Sequence, residues 1–138
     1  MKTALITGAT TGIGLAIAKK FIDEGFSVIS VSRNPNKRNF EHEKLTYYFA
    51  DVSEPKALLD LKDLIISDFA NINVLVNNAG TIIPGGIETL SYEEWSLSLN
   101  NNLSSYFNVT KTFVDMLKGQ ENANIINISS ISAKLGGS

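Results

Sequence analysis

Thr7-Gly8-Ala9-Thr10-Thr11-Gly12-Ile13-Gly14 decides how the rest of the chain is read. It follows the apolar run Ala4-Leu5-Ile6 and opens onto Leu15-Ala16-Ile17-Ala18, so a strand, a glycine turn and a helix succeed one another. Glycine tolerates positive φ, a missing Cβ lets a ligand approach the backbone, and a helix start presents free N–H groups with a positive dipole end. Together these suit a phosphate. Read alone, the turn also fits a tight connection and nothing more. Its G-x-x-x-G-x-G spacing is not the commoner G-x-G-x-x-G dinucleotide fingerprint.

Outward from the turn, short apolar runs at 1–7, 26–31, 45–50, 73–76 and 124–128 read as strands. Between them lie helical patterns. The first runs over 12–24 with Ile13, Ala16, Ile17 and Phe21 on one face, and Gly25 ends it. The second starts at Ser53-Glu54-Pro55, with Ser53 as N-cap, and faces inward through Ala57, Leu58, Leu61, Leu64, Ile65 and Phe69. The third opens on Ser91-Tyr92-Glu93-Glu94, a capping box, and runs toward Lys118 and Gly119. Its apolar stripe is Leu99, Leu103, Tyr106, Phe107, Thr110, Phe113, Val114 and Leu117, and Asn100-Asn101-Asn102 predicts a bend. Residues 32–36 and 81–89 read as loops, and 37–44 as a short helix or none. This alternation predicts an α/β fold with a parallel sheet and helices on both faces, in one domain over 1–138. Every notable polar motif falls at the C-terminal end of a strand, the edge where such sheets bind ligands.

The 138 residues are 43% hydrophobic with a formal charge of −2, which supports a core and implies no general affinity for nucleic acid or an anionic membrane. With no cysteine and one histidine, His42 in a polar stretch, no disulfide, thiol nucleophile or metal site is expected. No signal peptide or membrane-spanning run is visible, so a cytoplasmic setting is expected. No Gly-Lys-Ser/Thr follows the turn, which removes a P-loop hydrolase.

Four motifs in order carry a resemblance. Thr7-Gly8-x-x-x-Gly12-Ile13-Gly14, Asn77-Asn78-Ala79-Gly80, Trp95 with Asn102-Leu103, and Ile125-Ile126-Asn127-Ile128-Ser129-Ser130 resemble the short-chain dehydrogenase/reductases over nearly the whole chain. The resemblance implies a Rossmann-like doubly wound parallel sheet of order 3-2-1-4-5 and an oxidoreductase moving hydride between NAD(P) and a carbonyl or secondary alcohol. It implies cofactor contacts at Thr7, Gly8, Thr10, Thr11, Gly12, Ile13 and Gly14. Asp51-Val52 would stand at the adenine, and Asn78, Ala79 and Gly80 near the ribose. Ser130 would hold the substrate oxygen, and Asn102 a water in a proton relay. A charged residue at a helix start is the alternative account of Asp51 and a turn residue that of Asn78, each compatible with the cofactor role, and a bend residue only is the alternative for Asn102. A homo-oligomer through the helix beginning near Ser91 is also implied.

Cofactor choice rests on Ser32-Arg33-Asn34 at the end of the second strand. A carboxylate there would accept from the ribose hydroxyls of NAD and repel a 2′-phosphate. A hydroxyl followed by a guanidinium suits the phosphate better, and Lys37 and Arg38 add positive charge, so NADP is expected over NAD. An ordinary solvated basic loop is the alternative.

The family's general acid/base is a tyrosine further along than Ser138, followed by lysine in Tyr-x-x-x-Lys spacing. None of Tyr47, Tyr48, Tyr92 or Tyr106 has that spacing. The 138 residues alone are therefore expected to be inactive and to belong to a longer enzyme. The alternatives are a truncated relative and a non-catalytic dinucleotide-binding or interaction module.

Overall fold

The computed structural model describes residues 2–135. Met1, included in the first expected strand, and the end of the 1–138 domain at 136–138 lie outside the described residues. Strands β1 (Thr3–Thr7), β2 (Ser27–Ser32), β3 (Leu45–Phe49), β4 (Val74–Asn77) and β5 (Asn124–Asn127) form one sheet. Its order is β3-β2-β1-β4-β5, and every pairing is parallel. That is the doubly wound arrangement the resemblance implies. Helices α1 (Gly12–Asp23), α2 (Pro55–Asp68), α3 (Tyr92–Leu99), α4 (Ser105–Leu117) and the short α5 (Ser132–Leu135) complete it.

β1 is buried at all five positions because strands flank it and helices cover both faces. Alternation divides its side chains. Leu5 joins Ile29, Val31 and Leu75 under α2 and α4, where Leu58, Leu61, Ile65, Val109 and Phe113 complete one core. Ala4 and Ile6 join Val28 and Val76 under α1, against Ala18 and Ile22. Each large aliphatic side chain so buried contributes about 1.5–3 kcal/mol relative to exposure.

Several helix faces differ from the sequence expectation. α1 buries Gly14, Ala18 and Ile22, while Ile13 is 66% exposed. Small residues face the sheet there because the helix start lies close against the strand ends, and Ile13 overhangs the edge. On α2, Leu64 is exposed. On the last helical stretch the buried apolar side chains are Val109, Phe113, Met116 and Leu117, while Leu99, Leu103 and Phe107 face outward with Trp95. Ser53 is not the N-cap of α2: Glu54 holds that position, and the Ser53 hydroxyl donates to Asp51 Oδ1 instead. Pro55 does open the helix. The bend at Asn100–Ser104 is a π-helical turn joining α3 to α4. A 3-10 turn, Pro35–Lys37, is the only helical piece between β2 and β3 among the described residues.

Candidate functional site

The C-terminal ends of β1, β2 and β4 and the start of α1 enclose an open cleft of about 390 Å³. Of the expected cofactor residues, Gly8, Thr10, Thr11, Gly12, Ile13 and Gly14 line it from the turn. Ser32, Arg33 and Asn34 line it from the end of β2, and Val52 from the end of β3. Asn78, Ala79 and Gly80 line it beyond β4. Thr7, Asp51, Asn102 and Ser130 are not among its lining residues.

Packing explains the glycines. Gly8 has φ +71°, and a Cβ there would lie 3.0 Å from Ala79 Cα. At Gly14 a Cβ would lie 2.2 Å from the Gly8 carbonyl oxygen and 2.5 Å from Asn78 Nδ2, so the turn and the residues after β4 are pressed together through it. Gly12 is different: φ is +55°, and nothing stands within 4 Å of where its Cβ would be. That glycine keeps open the space above the helix start. Thr11 is the N-cap of α1 with extended backbone, and its side chain makes no capping bond. The N–H groups of the first turn therefore have no side-chain acceptor from their own cap.

Two side chains tie the turn to β4. Thr7 Oγ1 accepts from the N–H groups of Asn78 and Ala79, both at 3.0 Å, and donates to the Val76 carbonyl. Asn78 Nδ2 donates to the carbonyls of Thr7 at 3.0 Å and Gly8 at 3.2 Å. Thr7 thus holds the turn from beneath, and the donors of Asn78 are spent on the turn itself.

At the β2 end of the cleft, Arg33 Nη1 lies 3.9 Å from Asp51 Oδ2. Asp51 Oδ1 accepts from the Ser53 N–H and hydroxyl, at 2.9 and 2.7 Å. The Arg33–Asp51 pair is half-exposed, so solvent screens it and it adds little to stability. The Ser32 hydroxyl is buried without a hydrogen-bond partner.

The remaining candidates lie on the same sheet edge, further along. Asn102 sits in the π-helical turn and grips Thr81: its Oδ1 accepts from the Thr81 N–H at 2.8 Å, and its Nδ2 donates to the Thr81 carbonyl at 2.9 Å. Asn101 Nδ2 adds a bond to Thr81 Oγ1. The bend therefore fixes the chain just after Gly80. Ser130 follows β5, which pairs with β4 so that Asn127 stands beside Asn77. The Ser130 hydroxyl is exposed, and its oxygen accepts from the Ser132 N–H. Tyr106 Oη donates to the Ile128 carbonyl, two residues before it. Burial pushes the phenols of Tyr47, Tyr48 and Tyr106 upward, Tyr48 to about 12, the direction opposite to a proton-accepting tyrosine. Among the described residues no group of three or more His, Asp or Glu side chains stands together as a metal site, and no helix is long and apolar enough to cross a membrane.

A sequence profile of the short chain dehydrogenases matches residues 2–138. The chain belongs to the short-chain dehydrogenase family. It is 33% identical to the NADP-dependent (R)-specific alcohol dehydrogenase of Lentilactobacillus kefiri, over 98% of this chain and 56% of that protein. It is 32% identical to the D-beta-hydroxybutyrate dehydrogenase of Cupriavidus necator, over 94% of this chain and 53% of the relative. The ligand-free aldohexose dehydrogenase of Thermoplasma acidophilum superposes with a TM-score of 0.86 at 36% identity, covering 96% of this chain and 50% of that one. This short-chain dehydrogenase sequence spans about half the length of the curated relatives it matches.

Three features escaped the sequence reading. Val31 and Ala50 line the cleft, and so does Lys37, which the sequence offered only as positive charge near Arg33. Asn77 Nδ2 donates to Asn127 Oδ1 at 2.8 Å and to Thr110 Oγ1 at 3.1 Å, joining β4, β5 and α4 behind the site. The Asn102–Thr81 grip depends on two segments meeting in space. Only Lys37 had a local signal, since proline followed by a polar run suits a short turn that points a lysine back at the strand end.

Proposed function

We propose that this protein is an NADP-dependent oxidoreductase moving hydride between the nicotinamide and a carbonyl or secondary alcohol. One observation carries the cofactor choice: among the described residues the cleft is lined by two cations, Arg33 and Lys37, and by no carboxylate. A 2′-phosphate meets attraction there, whereas the ribose hydroxyls of NAD find no acidic acceptor. The open Cβ position of Gly12 and the uncapped start of α1 suit a pyrophosphate. The NADP dependence of the Lentilactobacillus relative points the same way.

In this reading the bound cofactor supplies the hydride. The glycine turn holds its phosphates, and Arg33 with Ser32 receives the adenosine ribose. Asn78, its donors engaged by Thr7 and Gly8, keeps the turn in place and leaves its oxygen to the other ribose. The Ser130 hydroxyl orients the substrate oxygen, and Asn102 fixes the chain between cofactor and reaction centre while the bend orders a water. Proton transfer falls to the tyrosine and lysine that the family resemblance implies, in a protein of the relatives' length. The described residues form one dinucleotide-binding domain in a cytoplasmic enzyme. Trp95, Leu99, Leu103 and Phe107, outward-facing at helical spacing, favour a homo-oligomer.

Calorimetric titration of the full-length protein with NADPH and NADH, followed by assay against a panel of ketones and aldehydes, tests this. NADPH is expected to bind more tightly and to be oxidised. Equal or tighter NADH binding overturns the cofactor choice. NADPH binding without turnover across the panel points instead to a non-catalytic dinucleotide-binding module. A monomer by light scattering removes the homo-oligomer.

A further inference from the structure

We infer that Tyr106 is a positioning residue for the reaction centre: from α4 its phenol holds the end of β5 and so fixes Ser130. The inference rests on the role given to Ser130 above. The ladder between β4 and β5 lacks a rung just before Ser130. Along it, the N–H groups of Asn124 and Ile128 donate to the carbonyls of Asn73 and Asn77, both at 2.9 Å. Bonds in a parallel ladder are evenly spaced, so the donor due to the Ile128 carbonyl is the Ala79 N–H. That N–H is already engaged. It donates to Thr7 Oγ1 at 3.0 Å, as the Asn78 N–H does, in the tie that holds the glycine turn to β4. The Ile128 carbonyl, two residues short of Ser130, is thus left without a strand donor.

Tyr106 supplies the missing donor. It stands in the first turn of α4, and its Oη donates to the Ile128 carbonyl at 2.9 Å. Ile128 is then held on three sides: its N–H by β4, its carbonyl by α4, and its side chain against the core under α1. Ser130 is held from beyond as well. Its Oγ accepts from the Ser132 N–H at 3.2 Å, and its carbonyl accepts from the Ala133 N–H at 3.1 Å, where α5 begins. Only Ser129 separates the two holds. With its oxygen turned to Ser132, and with no acceptor for its proton among the described residues, the Ser130 hydroxyl keeps a donor for a substrate oxygen. Burial raises the Tyr106 phenol above its ordinary pKa, so it stays a donor across the neutral range. Its one proton is spent on a carbonyl, which makes Tyr106 a brace and not the acid of the reaction. Without that brace the strand end hangs from β4 by the Ile128 N–H alone, and Ser130 loses its fixed upstream neighbour.

The test is steady-state kinetics of the full-length protein with NADPH and a carbonyl substrate from the panel, for the wild type, Tyr106→Phe, Ser130→Ala and the double variant. Amide hydrogen exchange is measured on the first two. Tyr106→Phe keeps the ring and loses only the donor, so the fold is expected to survive, and thermal melts check this. Its kcat should fall about five- to tenfold, the scale of one hydrogen bond, with KM for NADPH unchanged. In the Ser130→Ala background the same substitution should lower kcat no further, because the residue it positions is gone. Exchange over residues 129–133 should quicken several-fold in Tyr106→Phe while β1 stays as protected as before. An unaltered kcat, an equal fall in both backgrounds, or unaltered exchange overturns the role of Tyr106 and leaves the oxidoreductase reading standing. A wild type without turnover across the panel, or turnover that Ser130→Ala leaves intact, overturns the reading of Ser130 itself, and the role of Tyr106 falls with it.

Discussion

Helices α1 and α3 begin in opposite ways. At α3, Ser91 Oγ accepts from the Glu94 N–H at 3.1 Å, and Glu94 Oε2 accepts from the Ser91 N–H at 2.9 Å, a complete capping box. None of the α3 residues is buried. At α1 the N-cap Thr11 makes no side-chain bond, yet Gly14, Ala18 and Ile22 are buried against the sheet. Any helix start leaves four N–H groups without an intrahelical acceptor. α3 gains nothing from burial and satisfies part of that need with its own side chains. α1 is held by packing and so leaves its first turn open to a ligand. Stabilising a helix from the side thus leaves its end available for an anion.

If packing is what relieves α1 of a cap, the largest effect belongs to Gly14. A Cβ there would meet the Gly8 carbonyl at 2.2 Å, and backbone does not swing aside as a flexible side chain does. Gly14→Ala is expected to cost about 3 kcal/mol of stability and to abolish dinucleotide binding, measured by urea unfolding and titration. Near-normal stability in that variant would mean that α1 is held some other way. Asn78→Ala comes next. It removes both donors that tie the Thr7 and Gly8 carbonyls to β4, at an expected cost of about 2 kcal/mol. Cofactor affinity should fall with it, because the turn loses its support. Unchanged affinity with reduced stability would confine Asn78 to a structural role.

These two positions also mark what the sequence made legible. The glycine turn, Asn78 and the Ser91 capping box rest on local chemistry: a positive φ, a missing Cβ, an acceptor placed three residues before its donor. Strand periodicity and short connections placed the five strands. The helix faces were only partly readable. Ile13, Leu64, Leu99, Leu103 and Phe107 are apolar at helical spacing yet exposed, because periodicity tells which side is apolar and not what lies against it. Ser53 looked like a cap because serine suits that position, but the Asp51 carboxylate claimed its hydroxyl. Lys37 and Arg38 read as one basic pair until Tyr47 and Phe49, on a strand formed later in the chain, drew Arg38 away.

At α3 the effects are smaller and local. Ser91→Ala removes an acceptor from a helix with no buried side chain, and a loss of about 1 kcal/mol is expected. Amide hydrogen exchange over 92–99 should detect fraying there before the core responds. Loss of global stability without local fraying would mean that α3 is coupled to the core more tightly than its exposure implies. The partner group adds a pH dependence. The Ser91 backbone N–H, and then its side chain, hold the Glu94 carboxyl below its ordinary range. The folded helix therefore favours the carboxylate, so this contribution is present above the ordinary glutamate pKa and is lost as pH falls through the lowered one. Relative to Glu94→Gln, protection of α3 in the wild type should diminish as the solution is acidified through that range. A constant difference would show that the charge plays no part.

The smallest expected effect discriminates most sharply between the two helix starts. A threonine that caps a helix costs about 0.5–2 kcal/mol when replaced by alanine. Thr11 occupies the N-cap of α1 without making the capping bond, so Thr11→Ala should change the stability of the unliganded protein by no more than about 0.3 kcal/mol. The same substitution type thus gives a measurable loss at Ser91 and almost none at Thr11, although α1 is the more deeply anchored helix. A loss at Thr11 matching that at Ser91 would mean that α1 is capped in solution. Its first-turn N–H groups would then be partly satisfied before any ligand arrives, and a phosphate would have to displace the Thr11 hydroxyl before it could bind.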